Sequence, residues 1–117
     1  MKNNKVLKGL FSLSHNIRLY IPSTINIDKK INTDNYINEG LKLFGGWFGG
    51  CTSYKAIGSW LSKNNVVIEK ITIIESYATS EQVEKNLKNV LEFGKRIKLE
   101  LEQEAVSLEY DNKLYFI

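Results

Sequence analysis

"VVIEKITIIESYATSEQVEKNLKNVLEFGKRIKLE", residues 66–100, decides the fold, because two structural periods meet inside it. Residues 66–78 are rich in β-branched side chains and read as a strand. Its alternation breaks near Lys70–Thr72, which predicts a bulge there. Thr79-Ser80-Glu81-Gln82 is then a T-x-x-Q capping box, opening a helix of about 22 residues. Val83, Leu87, Val90, Leu91, Gly94, Ile97 and Leu101 make the apolar stripe of that helix. Lys88, Glu92, Arg96 and Glu100 alternate in sign at i,i+4 along its outer face. A glycine on the apolar side, Gly94, predicts a close approach of helix to sheet.

Outward from this stretch, "IRLYIPS" (17–23) alternates, with Ile17, Leu19 and Ile21 on one face and Arg18 and Tyr20 on the other. Pro22 ends that strand, and residues 23–32 read as a polar connection. Thr33 is the expected N-cap of a first helix carrying Tyr36, Ile37, Gly40, Leu41 and Phe44, with Leu43, Trp47 and Phe48 widening the stripe. It must stop by Gly49-Gly50, with Gly45-Gly46 as an earlier stop. Residues 51–62 read as a strand showing Thr52, Tyr54, Ala56, Gly58 and Trp60 on one face, and Lys63-Asn64-Asn65 as the turn into residue 66. After the long helix, Val106, Leu108 and Tyr110 alternate, and Asp111-Asn112 turns into Lys113–Ile117. The order β-α-β-β-α-β predicts an α+β, ferredoxin-like βαββαβ domain: an antiparallel sheet with two helices on one face and an extra C-terminal strand. Tyr20, with some of Tyr54, Trp60, Tyr77 and Tyr110, is expected on the open face, a surface for a partner or ligand and most simply a homodimer contact.

The expected organisation is an N-terminal segment (1–16) and a single domain (17–117), with residues 6–13 able to form a short amphipathic helix. The lone Cys51 excludes an internal disulfide, and with the lone His15 it cannot build a Cys/His zinc site. No calcium-loop pattern and no run of about 18 apolar residues occurs. Ser12, Ser14, His15 and Asn16 interrupt the basic N-terminal stretch, so it does not read as a signal peptide, and a cytoplasmic protein is expected. The net charge of +3 is unevenly spread: residues 1–64 carry nine Lys/Arg against three Asp/Glu, and residues 65–117 seven against ten. Such a split suits self-association or a polyanion facing the first half. Fourteen of the sixteen basic residues are lysine, which argues against sequence-specific nucleic-acid recognition, and the RRM strand signature is absent.

Gly45-Gly46-Trp47-Phe48-Gly49-Gly50 matches neither nucleotide-binding glycine pattern and follows a helix instead of opening one. It reads as a sharp helix stop plugged by Trp47 and Phe48. Cys51 has no basic cluster near it in sequence and reads as a small hydrophobe. His15 reads as a surface imidazole, a candidate base with no partner to name. Glu69 and Glu75 share a strand face, where Arg18 or Lys70 can pair with them, but lie roughly 20 Å apart, too far to cooperate as an acid–base pair.

Phe48-Gly49-Gly50-Cys51-Thr52, Gly58-Ser59-Trp60, Val67-Ile68-Glu69 and Gln103–Val106 resemble the F-G-G-x-T, G-x-W, V-x-E and Q-E-A-V elements of a small bacterial and archaeal family known only as a domain of unknown function. The resemblance covers about residues 17–110. Some members of that family are secreted or lipid-anchored, and this sequence lacks their export signal. The resemblance implies a fold and no catalytic residues. It points to Thr52, Trp60, Glu69, Gln103 and Glu104, although Trp60 equally suits a core and Gln103 and Glu104 a helix end.

Three functions follow as expectations. The first is a non-enzymatic, oligomeric binding protein that holds a partner protein or small ligand on its sheet face or subunit junction through Arg18, Tyr20, Thr52, Trp60, Glu69 and Gln103, with no cofactor. An inhibitor of host defence of the kind phages and plasmids carry is one such protein. The second is a small enzyme of the dimeric α+β barrel type, its pocket lined by Arg18, Tyr20, Trp60 and Glu69, with Glu69 or His15 as base. The third, an RNA- or ssDNA-binding module, requires affinity that falls steeply with salt.

Overall fold

Ile17, Leu19 and Ile21 are completely buried, and the strand that carries them organises the molecule. The computed structural model describes residues 4–26 and 28–117. Along the chain run β1 (His15–Pro22), β2 (Thr24–Ile25), β3 (Lys29–Lys30), α1 (Asp34–Phe48), β4 (Thr52–Ser62), β5 (Asn65–Ala78), α2 (Ser80–Glu100), β6 (Ser107–Tyr110) and β7 (Lys113–Phe116). The main sheet has five strands in the order β4-β5-β1-β6-β7, every neighbouring pair antiparallel. Ile17, Leu19 and Ile21 of β1, Ile74 of β5 and Leu108 of β6 form one core with Phe44 and Phe48 of α1 and Val83, Val90, Phe93 and Ile97 of α2. Both helices therefore cover one face of this α+β sheet, and the other face carries Tyr20, Tyr54, Trp60, Ile71 and Ile73 beside Arg18, Glu75 and Glu109.

The local signals act as their chemistry dictates. Thr79 accepts the Gln82 N–H at 3.1 Å, and Gln82 accepts the Thr79 N–H at 2.9 Å, so the capping box closes in both directions. α1 runs through Gly45-Gly46 and ends at Gly49, whose φ of 85° is the left-handed cap that a side chain resists. A Cβ on Gly94 would collide with the side-chain tip of Ile117 and only touch Leu19 of the sheet, so the glycine makes room for the C-terminal residue.

Several expectations are corrected. β5 has no bulge: its ladder with β4 runs unbroken from Thr52↔Glu75 to Ser62↔Asn65. The pattern changes near Lys70 because β1 pairs only with Ile71–Ala78, so the hairpin beyond projects past the sheet. Ile57, Leu61, Val66 and Ile68 are all exposed on this arm. The connection after Pro22 holds the small β2–β3 pair. Thr33 caps α1 by position alone, and the Asn32 side chain accepts the Asp34 N–H at 2.8 Å. On α2, Arg96 reaches Glu100 at 3.5 Å but also pairs with Glu39 of α1, tying the two helices together. Tyr110 pairs with Ile17 and so lies on the helix side, not the open face. In place of a helix over 6–13 there is one 3₁₀ turn, Lys5–Leu7, followed by Gly9 at φ 86°. The first three residues of the expected N-terminal segment lie outside the described residues.

Candidate functional site

On the open face, the register of β1 places Arg18 opposite Glu75 of β5 and Glu109 of β6 at once. Its Nε donates to Glu75 Oε2 at 2.7 Å and Nη1 to Glu109 Oε2 at 3.1 Å. Asn16 Nδ2 also donates to Glu75 Oε2, at 2.8 Å, and the Tyr20 hydroxyl donates to Glu109 Oε1. Burial, reinforced by the Glu109 hydrogen bond, pushes the Tyr20 hydroxyl up to about 12, so it stays a donor at neutral pH. Burial alone raises the Glu75 carboxyl, but hydrogen bonds from Asn16 and Arg18 and the Arg18 charge outweigh it and hold Glu75 below its ordinary range.

That depression has a measurable sign. A carboxyl with a lower pKa folded than unfolded stabilises the fold above the unfolded value, and the gain is lost as pH falls through the folded value. The urea midpoint is expected to drop on acidification below about pH 4. Glu75→Gln should flatten that acid limb. An acid limb of unchanged steepness in the variant would show that Glu75 is not its source.

Further along the same face lies a cleft of about 400 Å³, lined by Tyr20, Trp60, Glu69, Gln103, Ser107 and Phe116 among others. Glu69 stands opposite Gly58 in the β4–β5 ladder, where the missing side chain leaves room over the carboxylate. Thr24 donates its hydroxyl to Glu69 Oε2 at 3.3 Å. Burial raises the Glu69 carboxyl, and that hydrogen bond only partly offsets the effect. A carboxylate with a raised pKa in a cleft lined with aromatic rings can attract a cation and accept a proton.

Four of the six expected site residues, Tyr20, Trp60, Glu69 and Gln103, thus share one cleft, and Arg18 is joined to them through Glu109 and Tyr20. Thr52 is set apart from them. It lies opposite Glu75 and lines a separate cleft of about 260 Å³ with Gly49–Cys51 and Tyr77. Gln103 Nε2 donates to the carbonyls of Thr24 and Leu101, both at 3.0 Å, fastening the end of α2 to the loop that holds the partner of Glu69. Glu104 is exposed, and Lys70 points to the opposite face from Glu69 and Glu75. Burial pushes the Cys51 thiol up, and its Sγ donates to the Leu41 carbonyl, so both act against the thiolate. Glu109 was not among the sequence candidates; its signal is an outward charge between Leu108 and Tyr110. Among the described residues, no three His, Cys, Asp or Glu side chains gather as a metal site, and no helix is long and apolar enough to cross a membrane.

No protein-family model and no curated protein matches the sequence. Solved structures do. A phage SAM lyase in complex with S-methyl-5′-thioadenosine superposes with a TM-score of 0.64 at 14% identity, over 92% of this chain and 94% of that one. A phage SAM lyase in its apo state gives a TM-score of 0.67 at 15% identity, over 92% and 91%. The fold is shared. This likeness corrects the expectation of a non-enzymatic binding protein, because the structural neighbours are an enzyme and favour the enzyme alternative.

Proposed function

We propose that this chain is a small lyase-type enzyme acting on a sulfonium nucleoside of the S-adenosylmethionine class, with the cleft around Glu69 as its site. The observation that carries the reading is the raised, partly buried Glu69 carboxyl in a cleft that Trp60 and Tyr20 also line. A sulfonium is a permanent cation with an apolar surround, and it suits a carboxylate flanked by aromatic faces. The indole of Trp60 offers a stacking face for adenine. S-methyl-5′-thioadenosine is what S-adenosylmethionine becomes when sulfur parts from the amino-acid chain. In an elimination, Glu69 takes the proton from the carbon next to the one bonded to sulfur, the C–H electron pair becomes a carbon–carbon double bond in the released amino-acid fragment, and the breaking C–S bond leaves its pair on sulfur as a neutral thioether. Gln103 positions the Thr24 loop, and Arg18 with Glu109 holds Tyr20 in place.

The strand order, with helical crossovers and β7 as the added edge strand, supports a ferredoxin-like assignment. The exposed aromatic side chains of the open face, Tyr54, Trp60, Tyr77 and Phe116, support a homo-oligomer in which a second copy covers that face. We place the activity in the cytoplasm, and the phage origin of the neighbours is compatible with a mobile element. Incubation with S-adenosylmethionine should release S-methyl-5′-thioadenosine, read by chromatography and mass spectrometry. Unchanged substrate after prolonged incubation with stoichiometric folded protein would overturn the proposal. Native mass spectrometry of the same sample reads the assembly, and a clean monomer would remove the oligomer.

A further inference from the structure

At the end of the sheet, on the helix side, three side chains from distant parts of the chain form a relay that the lyase reading does not use. His15 Nδ1 lies 2.7 Å from Asp111 Oδ2, and His15 Nε2 lies 2.9 Å from Ser80 Oγ. Asp111 is fixed in turn: its Oδ1 accepts the Asn16 N–H at 2.9 Å, and its own N–H donates to the Asn16 carbonyl at 3.0 Å. The imidazole stacks on the Tyr110 ring, with centroids 5.9 Å apart and planes 19° from parallel. The hydrogen bond to His15 and the Asn16 N–H hold the Asp111 carboxyl below its ordinary range, so it is ionised at neutral pH. An ionised carboxylate on Nδ1 selects the tautomer with the proton there, leaving Nε2 to accept the Ser80 hydroxyl proton.

Ser80 is also the first residue of α2. The capping box occupies the Thr79 and Gln82 N–H groups, leaving those of Ser80 and Glu81 with no acceptor among the described residues. Two free donors beside a serine Oγ are where an acyl-transfer oxyanion would be held.

We propose that Ser80, His15 and Asp111 form a second, independent site that hydrolyses small carboxylic esters. Ser80 Oγ attacks the ester carbonyl carbon and its proton passes to His15 Nε2, while the carbonyl electron pair moves onto oxygen, facing the Ser80 and Glu81 N–H groups. As the tetrahedral intermediate collapses, the C–O bond to the alcohol breaks and the alcohol leaves with the proton from His15. Water, giving a proton to the same imidazole, then attacks the acyl carbon, the bond to Ser80 Oγ breaks to free the acid, and His15 returns the proton to Ser80 Oγ. Asp111 is a positioning residue and touches no substrate.

A fluorophosphonate probe tests this, with the adduct located by peptide mass spectrometry. The expected result is one adduct per chain, on Ser80, lost in Ser80→Ala and at least about 100-fold slower in His15→Gln. Asp111→Asn should slow labelling comparably, and nitrogen NMR should show it losing the Nδ1–H tautomer of His15, a change that a structural role alone would not produce. It also serves as the second variant should His15→Gln fail to fold. Absence of a Ser80 adduct in folded wild type, or equal labelling rates in wild type and a folded variant, would overturn the proposal. Because the probe reads Ser80 directly, its outcome does not depend on turnover of S-adenosylmethionine.

Discussion

Glu69→Gln should lower turnover of S-adenosylmethionine by about 10²–10⁴-fold while leaving the protein folded. Glutamine keeps the shape of the side chain, and its amide oxygen can still accept the Thr24 hydroxyl that Glu69 accepts now. It cannot take a proton. The variant should also fold at least as well as the wild type at neutral and alkaline pH, for a reason opposite in sign to that of Glu75. The folded Glu69 pKa is raised by burial, so folding is favoured below the unfolded value and loses that support as pH rises through the folded one. Removing the ionisable group removes the loss. Turnover within a few-fold of wild type in a folded Glu69→Gln protein would sink the assignment of the base.

Phe44→Ala should cost about 3–5 kcal/mol of stability. Phe44 is fully buried on the inner face of α1, and its ring packs on those of Trp47 and Phe48 at 5.9 and 5.7 Å between centroids. The substitution removes apolar area and leaves a cavity in the middle of the layer between α1 and the sheet, where no backbone can close in. Thermal melting should fall on the order of 10–20 °C, with Phe44→Leu well short of that. A loss under about 1 kcal/mol by urea titration would mean that the aromatic cluster repacks around the gap.

What could be read in advance was local. Thr79 and Gln82 sit three residues apart, so their capping box is written in one turn of chain, and the stripe from Val83 to Leu101 repeats with a period any helix must obey. The strand faces were also legible, which is why Tyr20, Trp60 and Glu69 turn out to share a cleft. Pairings between strands far apart in sequence were not. Arg18 and Glu109 are 91 residues apart and His15 and Asp111 are 96 apart, and only the β1–β6 register brings each pair together. That register is set by how Leu19 and Leu108 fit the core, a tertiary fact absent from either segment alone. The same register puts Tyr110 on the helix side. Thr52 shows the converse error: its face was read correctly, but its position along β4, opposite Glu75, holds it away from Glu69.

The central place of β1 in the sheet has a consequence for a chain emerging from a ribosome. The β4–β5 hairpin needs only its own two strands and can close in roughly 1–10 μs once both are free. β1 has no such neighbour: Arg18 meets its β5 partner 57 residues later and its β6 partner 91 residues later. At synthesis rates of about 5–20 residues per second, the second partner arrives some 5–20 s after β1 itself. Until β5 arrives, about 3–11 s after β1 at the same rates, Ile17, Leu19 and Ile21 have no sheet to enter, so the strand buried deepest in the finished protein waits exposed to chaperones during its making.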